Sequence, residues 1–122
     1  MKVLIVDDSA IIRQRIVEML DDVEGVDVVG QTDNAEEGVA MAGAMRPDVA
    51  IVDLNLRNGG NGMDVLDAIR RNGAQSIVIV LTNHAEPINR AACLAAGADY
   101  FFDKSTSFER IGPLLRLMTR SA

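Results

Sequence analysis

The sequence predicts an α/β fold of five strand–helix units, (βα)₅, built on a parallel sheet. Two observations carry this. Short apolar, mostly β-branched runs alternate with stretches whose apolar residues recur at helical spacing, and the connections between them are short. Val3-Leu4-Ile5-Val6, Val26-Asp27-Val28-Val29, Val49-Ala50-Ile51-Val52 and Ile77-Val78-Ile79-Val80-Leu81 read as strands, with Tyr100-Phe101-Phe102 as a shorter fifth. Continuous apolar runs of this length suit strands covered on both faces. Strands separated by helices pair in parallel through right-handed crossovers. With no linker, repeat or low-complexity tract, residues 1–122 form one three-layer sandwich.

The helices follow in order. Ile12, Ile16, Met19, Leu20 and Val23 give the first its apolar stripe, with Ser9 as its cap. Thr32, Asp33 and Asn34 offer caps for the second, and Glu36 and Glu37 lie near its positive end. Val65, Leu66 and Ile69 mark the third. Pro87 fits the first turn of the fourth. Ile111, Leu114, Leu115 and Met118 mark the fifth, for which Ser105, Thr106 or Ser107 is the expected cap. Gly25, Gly73 and Gly97 follow helical runs as stop signals.

Composition narrows the function. The 122 residues are 48% hydrophobic and 25% charged, as in an ordinary globular domain, and carry a formal charge of -6. That balance argues against free nucleic acid as a direct partner, because phosphate binding needs a basic patch. No stretch approaches the roughly 20 apolar residues of a membrane span, and the N-terminal apolar run is too short for a signal sequence; a cytoplasmic location is the expectation. Cys93, the single cysteine, lies in the run Ala91–Ala96 and reads as a small buried hydrophobe.

In open parallel sheets, ligands bind beyond the carboxyl ends of the strands. There the first strand ends in Asp7-Asp8, the third in Asp53 and the fourth in Thr82, and Lys104 follows the fifth. If strands one and three are neighbours, three carboxylates converge. Two such charges about 4 Å apart repel by about 1 kcal/mol in water and about 4 kcal/mol at an effective dielectric of 20. A hard divalent cation resolves that conflict, and Mg²⁺ commonly combines one or two carboxylates with a phosphate. A carboxylate can also act as a nucleophile and form an aspartyl phosphate, with metal and lysine spreading the charge of the transferring group. Asp53, single and at the end of a strongly apolar strand, is the best nucleophile. Asp7 and Asp8 are better metal ligands. Thr82 offers a hydroxyl, and Lys104 a long-reach cation. Taken singly, each has a plainer reading as a capping, turn or surface residue; the joint placement points to phosphoryl transfer.

Over nearly its whole length the chain resembles the receiver domain of two-component response regulators, the chemotaxis regulators among them. The matching pieces are Val3–Ser9, Pro47–Leu56, Ile79–Thr82 and Gly97–Lys104. The resemblance implies a flavodoxin-like sheet of order 2-1-3-4-5. It implies Asp53 as phosphoacceptor, Asp8 and Asp53 as direct Mg²⁺ ligands, Asp7 as a ligand mainly through water, and the Asn55 backbone carbonyl as a further ligand. Thr82 and Phe101 become a coupled switch pair, and Lys104 contacts the phosphoryl group. The donor would be a phosphohistidine on a sensor histidine kinase or a histidine phosphotransfer protein. The domain would catalyse only its own phosphorylation and dephosphorylation, and so would not be an enzyme acting on a separate substrate. A downstream protein would read the surface of the fourth helix, fifth strand and fifth helix, near Arg90, Tyr100 and Phe102. The resemblance also allows a phosphorylation-dependent homodimer. A stand-alone receiver would act by protein contact or as a phosphate sink or relay; the alternative is a receiver excised from a larger regulator.

Three departures from the family pattern stand out. Ser105 follows Lys104 where Pro is usual. The segment Asn55–Met63 is one residue longer than usual, with Arg57 where Pro is common and glycines that permit positive φ and mobility. Asn83 and His84 follow Thr82, where the first position is usually Ala or Gly, and Asn83 narrows access to the phosphoryl group. His84, the only histidine, reads most simply as a solvent-facing helix-start residue; the sharper hypothesis is that it acts with Asn55 on the attack of water at the aspartyl phosphate. Other functions fit less well. A haloacid-dehalogenase-type phosphatase would need an acid two positions beyond Asp7, where Ser9 stands, and a cap domain. A flavin or nucleotide binder would need a phosphate-cradling loop where Asp7-Asp8 would repel phosphate. A degenerate receiver serving only as an interaction module has no reason to keep the full acidic, Thr and Lys set.

Overall fold

The computed structural model describes residues 1–121. Strands β1 (Lys2–Val6), β2 (Asp27–Thr32), β3 (Val49–Val52), β4 (Ile77–Thr82) and β5 (Tyr100–Asp103) alternate with helices α1 (Ala10–Asp21), α2 (Ala35–Met45), α3 (Gly62–Arg71) and α4 (Pro87–Ala95). All four pairings are parallel, in the order β2-β1-β3-β4-β5, as the resemblance implies. Alternate residues of the central strands feed two cores. Leu4, Val6, Ala50, Val52, Val78 and Val80 pack with Val65, Leu66, Ile69 and Cys93 from α3 and α4. Val3, Ile5, Val49, Ile51, Ile79 and Leu81 pack with Ile16 and Leu20 of α1 and with Phe108, Ile111 and Leu115. Both faces of the sheet are therefore covered, which explains the unbroken apolar runs.

The expected caps hold with one correction. The Ile12 N–H donates to Ser9 Oγ at 3.2 Å, and the Glu37 N–H donates to Asn34 Oδ1 at 2.8 Å. Pro87 opens α4, and Gly25, Gly73 and Gly97 all take positive φ. The fifth helix is not capped by Ser105, Thr106 or Ser107. It is divided into a single turn α5 (Lys104–Ser107), a 3-10 turn at Phe108–Arg110 and α6 (Ile111–Ser121), and Asp103 is the cap of α5, accepting from the Ser105 N–H at 2.9 Å. Asp103 is the last residue of β5, so strand and helix meet without a loop, and the three hydroxyl residues fall inside or at the end of that turn. The second strand also extends beyond its apolar run. Gly30, Gln31 and Thr32 continue the ladder opposite Leu4, Ile5 and Val6, because β2 is an edge strand that does not need apolar side chains to pair.

Candidate functional site

The carboxyl ends of β1 and β3 are adjacent because these strands pair from Val3↔Val49 to Val6↔Val52, and the Asp53 N–H extends the ladder by donating to the Val6 carbonyl at 2.8 Å. This brings Asp7, Asp8 and Asp53 together, with carboxylate oxygens within 4.8 Å of one another. Asp7 and Asp53 are buried, whereas Asp8 is exposed. Asp7 is held in place from three sides. Its carboxylate accepts from the Ser9 N–H at 2.9 Å, its backbone carbonyl accepts from Arg13 Nη1 at 2.6 Å, and its Oδ2 lies 2.8 Å from Lys104 Nζ.

Lys104 reaches this cluster from the start of α5. Its ammonium also lies 2.8 Å from Asp53 Oδ2, and its side chain is only 7% exposed. Burial works against its charge, but the two carboxylates outweigh burial and hold the ammonium above its ordinary range. For Asp7 the balance goes the other way. Burial pushes the carboxyl up more than the Lys104 ammonium and the Ser9 N–H bring it down, and the nearby Asp53 adds to the rise. With all groups ionised, three carboxylates and one ammonium leave a formal charge of -3 + 1 = -2, which one divalent cation would cancel. The other Asp53 oxygen, Oδ1, is buried without a hydrogen-bond partner among the described residues. Buried polar atoms are normally satisfied, so an orphan oxygen beside two further carboxylates fits a hard cation and its oxygen ligands.

The Asn55 backbone is arranged consistently with that. Residues 55–61 form a miniature hairpin in which Asn55 and Asn61 face each other, closed by Leu56 N–H to Gly60 O at 3.0 Å and Gly62 N–H to Leu54 O at 2.9 Å. In such a pair the flanking residues make the cross-bonds, and the facing residues direct their own N–H and C=O out of the ladder. Gly62 lies against the backbone of Asp53, where a Cβ would overlap the Asp53 carbonyl.

Thr82 ends β4 fully buried, and its Oγ1 accepts from the His84 N–H at 3.0 Å. Phe101 sits on the neighbouring strand opposite Val80, 6% exposed and packed in the core on the α3–α4 side, while Thr82 faces Asp103. Three further contacts surround the site, the first between the two residues that the sequence hypothesis couples. The Asn55 side chain is hydrogen-bonded to His84 Nε2. The Arg57 guanidinium pairs with Asp33 at 2.8 Å. The Arg90 guanidinium lies 5.8 Å from the centroid of the Phe101 ring and donates to the Phe101 carbonyl at 3.2 Å. The last two join residues of separate elements or connections, and no local pattern announces them.

A family model described as the response regulator receiver domain matches residues 3–116. The chain belongs to this family. Among curated proteins, this receiver domain is 32% identical over 115 residues to response regulator GacA of Pseudomonas aeruginosa, covering 94% of this chain and 53% of that protein. It is 31% identical over 104 residues to the nitrate/nitrite response regulator NarL of Escherichia coli, covering 84% of this chain and 47% of NarL. The receiver domain thus spans about half the length of these relatives. Among solved structures, it superimposes on the signal receiver domain of a NarL response regulator from Mycobacterium tuberculosis with a TM-score of 0.87 and 26% identity, covering 99% of this chain and 97% of that one. With the response regulator domain of Thermotoga maritima CheB the TM-score is 0.84 at 30% identity, covering 100% and 95%. Among the described residues no helix is long and apolar enough to cross a membrane.

Proposed function

We propose that this receiver domain, over residues 1–122, is the phosphoacceptor switch of a two-component phosphorelay, and that Asp53 is the residue phosphorylated. The observation that carries this reading is the state of the Asp53 carboxylate, with one oxygen on the Lys104 ammonium and the other buried and unpartnered beside two more acids. The donor is a phosphohistidine on a sensor histidine kinase or a histidine phosphotransfer protein. An Asp53 oxygen attacks phosphorus, the bond from phosphorus to the imidazole nitrogen breaks, and the imidazole leaves with that electron pair. Asp8, Asp53 and the Asn55 carbonyl would hold Mg²⁺, with Asp7 acting mainly through water; bound there, the ion neutralises charge on the phosphoryl oxygens. Lys104 gives up part of its contact with Asp53 to a phosphoryl oxygen. Thr82 exchanges the His84 N–H for the phosphoryl group, and its movement frees space that Phe101 can enter. The surface of α4, β5 and the α5–α6 segment changes in consequence, and a downstream protein reads it. Catalysis is confined to the domain's own phosphorylation and hydrolysis.

The test is incubation with acetyl phosphate, with and without Mg²⁺, followed by intact mass measurement beside an Asp53→Asn variant. A single Mg²⁺-dependent phosphoryl adduct, missing from the variant, is the expected result. An adduct that persists in the variant would refute the assignment of Asp53. No adduct from acetyl phosphate or from a phosphorylated histidine donor would favour a receiver kept only as an interaction module.

A further inference from the structure

The segment that carries the Asn55 carbonyl begins at Asp53 and ends where α3 starts at Gly62, and its tip is a tight turn. Asn58 takes φ 63°, Gly59 takes φ 74°, and no apolar side chain of residues 57–59 anchors it. An Asn-Gly pair at positive φ is the favoured chemistry of a tight hairpin turn, so the turn's shape is set locally, while its place in the fold must come from contacts beyond it. Asp33, in the connection from β2 to α2, supplies two of those contacts. The Arg57 N–H donates to the Asp33 carbonyl at 2.9 Å, and Arg57 Nη1 donates to Asp33 Oδ2 at 2.8 Å. Asp33 is itself fixed, lying between the last residue of β2 and Asn34, the cap of α2. Backbone and side chain of one residue therefore clamp the hairpin tip to the β2–α2 junction. The opposite end of the hairpin is held by Gly62 against the Asp53 backbone.

We infer that the Arg57–Asp33 clamp is a positioning device for metal binding, fixing the hairpin that carries the Asn55 carbonyl before any cation arrives. The inference rests on the proposed metal site and concerns a residue that touches none of its ligands. A carbonyl on a loose loop would have to be ordered when the ion binds, and that ordering weakens binding by the fraction of molecules not already in the competent arrangement. Arg57 is a positioning residue here rather than a ligand, because a guanidinium cannot coordinate a cation.

Charge and positioning predict opposite signs, which makes the clamp testable. Arg57 is a positive charge bordering a site for a cation. On electrostatics alone, replacing it with alanine would tighten Mg²⁺ binding or leave it unchanged. If the clamp positions the Asn55 carbonyl, Arg57→Ala weakens Mg²⁺ binding, by roughly two- to fivefold given the usual worth of an exposed ion pair. The measurement is titration of the full chain with MgCl₂, followed by amide chemical shifts of residues 8, 53 and 55, for wild type, Arg57→Ala, Asp33→Asn and the double variant. Amide hydrogen exchange of residues 55–61 without metal is measured in parallel. Two results are expected together. Arg57→Ala binds Mg²⁺ more weakly and exchanges faster at the hairpin, and the double variant is weakened by less than the sum of the two singles, as coupled partners should be. The Arg57 side chain is 68% exposed, so the global unfolding midpoint should move little. Equal or tighter Mg²⁺ binding by Arg57→Ala, with wild type binding normally, overturns the clamp and leaves the metal site standing. Absence of Mg²⁺ binding by wild type overturns both.

Discussion

At the scale of single residues, Asp7 illustrates the conflict built into the site. Its carboxyl is held above the ordinary carboxylate range, chiefly by burial, even with Lys104 and the Ser9 N–H in contact. An acid whose folded-state pKa is raised contributes stability that is fully present below its unfolded pKa and is lost as pH rises through the folded value. As pH rises above the carboxylate range, the metal-free domain therefore carries the growing cost of ionising a buried Asp7. Asp7→Asn is expected to raise the thermal unfolding midpoint of the metal-free protein near pH 7, with the gain shrinking as pH falls toward the carboxylate range. Melts in chelator across that range check this, and a gain that grows on acidification would contradict it. His84 gives a second residue-scale prediction. Its ring is tied to Asn55 and its N–H to Thr82 Oγ1, so it bridges the two connections that flank the site. Replacing both Asn55 and His84 with alanine should open that bridge and shorten the lifetime of the aspartyl phosphate, followed by loss of the phosphoryl adduct with time. An unchanged half-life would return His84 to a plain helix-start role.

At the scale of elements, the β3–α3 connection depends on a close approach that only glycine permits. A methyl group at position 62 would overlap the Asp53 carbonyl and crowd Val52 Cγ1. Backbone cannot yield as a side-chain end can, so Gly62→Ala should cost about 1–3 kcal/mol of stability, read by chemical denaturation. It should also shift Asp53 and slow its phosphorylation. The requirement is local in space but invisible in sequence, where Asn58-Gly59-Gly60-Asn61-Gly62 reads only as a flexible turn. The strands were legible for the opposite reason. Val49–Val52 and Ile77–Thr82 are covered on both faces, so burial wrote itself into unbroken apolar runs. The three acids of the cluster, Thr82 and Lys104 were legible because each lies at or just beyond the carboxyl end of a strand, and those ends of a parallel sheet share one edge. What escaped was set by contact across the fold. Asp103 displaced Ser105, Thr106 and Ser107 as a cap because β5 runs directly into α5. The Arg57–Asp33 contact links two connections and the Arg90–Phe101 contact links α4 to β5, and no periodic signal spans either spacing.

At the scale of the whole molecule, the question is how the phosphorylation proposed at Asp53 would reach the surface proposed for a partner. The route available runs through β4 and β5 to α4. Thr82 Oγ1 is held by the His84 N–H, the His84 carbonyl accepts from Asn89 Nδ2 on α4, and Arg90, the next residue of α4, covers the Phe101 ring and bonds its carbonyl. Moving Thr82 toward a phosphoryl group would break the first of these bonds and leave the others to rearrange, so α4 and β5 should respond as a unit. On phosphorylation with acetyl phosphate and Mg²⁺, amide exchange should change in residues 83–103, while β2 and the second half of α2 stay as they were. Thr82→Val keeps the shape of the side chain but has no hydroxyl to offer. It should still accept the phosphoryl group on Asp53, as intact mass would show, yet lose most of the exchange response. Arg90→Ala should keep both acceptance and the Thr82 movement, but loosen residues 100–102 before phosphorylation and so reduce the difference between the two states. An exchange response of undiminished size in phosphorylated Thr82→Val would mean that the signal leaves the site by another path, with the Lys104 contact at the start of α5 the next candidate, because that ammonium must also redistribute its two bonds when a phosphoryl group arrives.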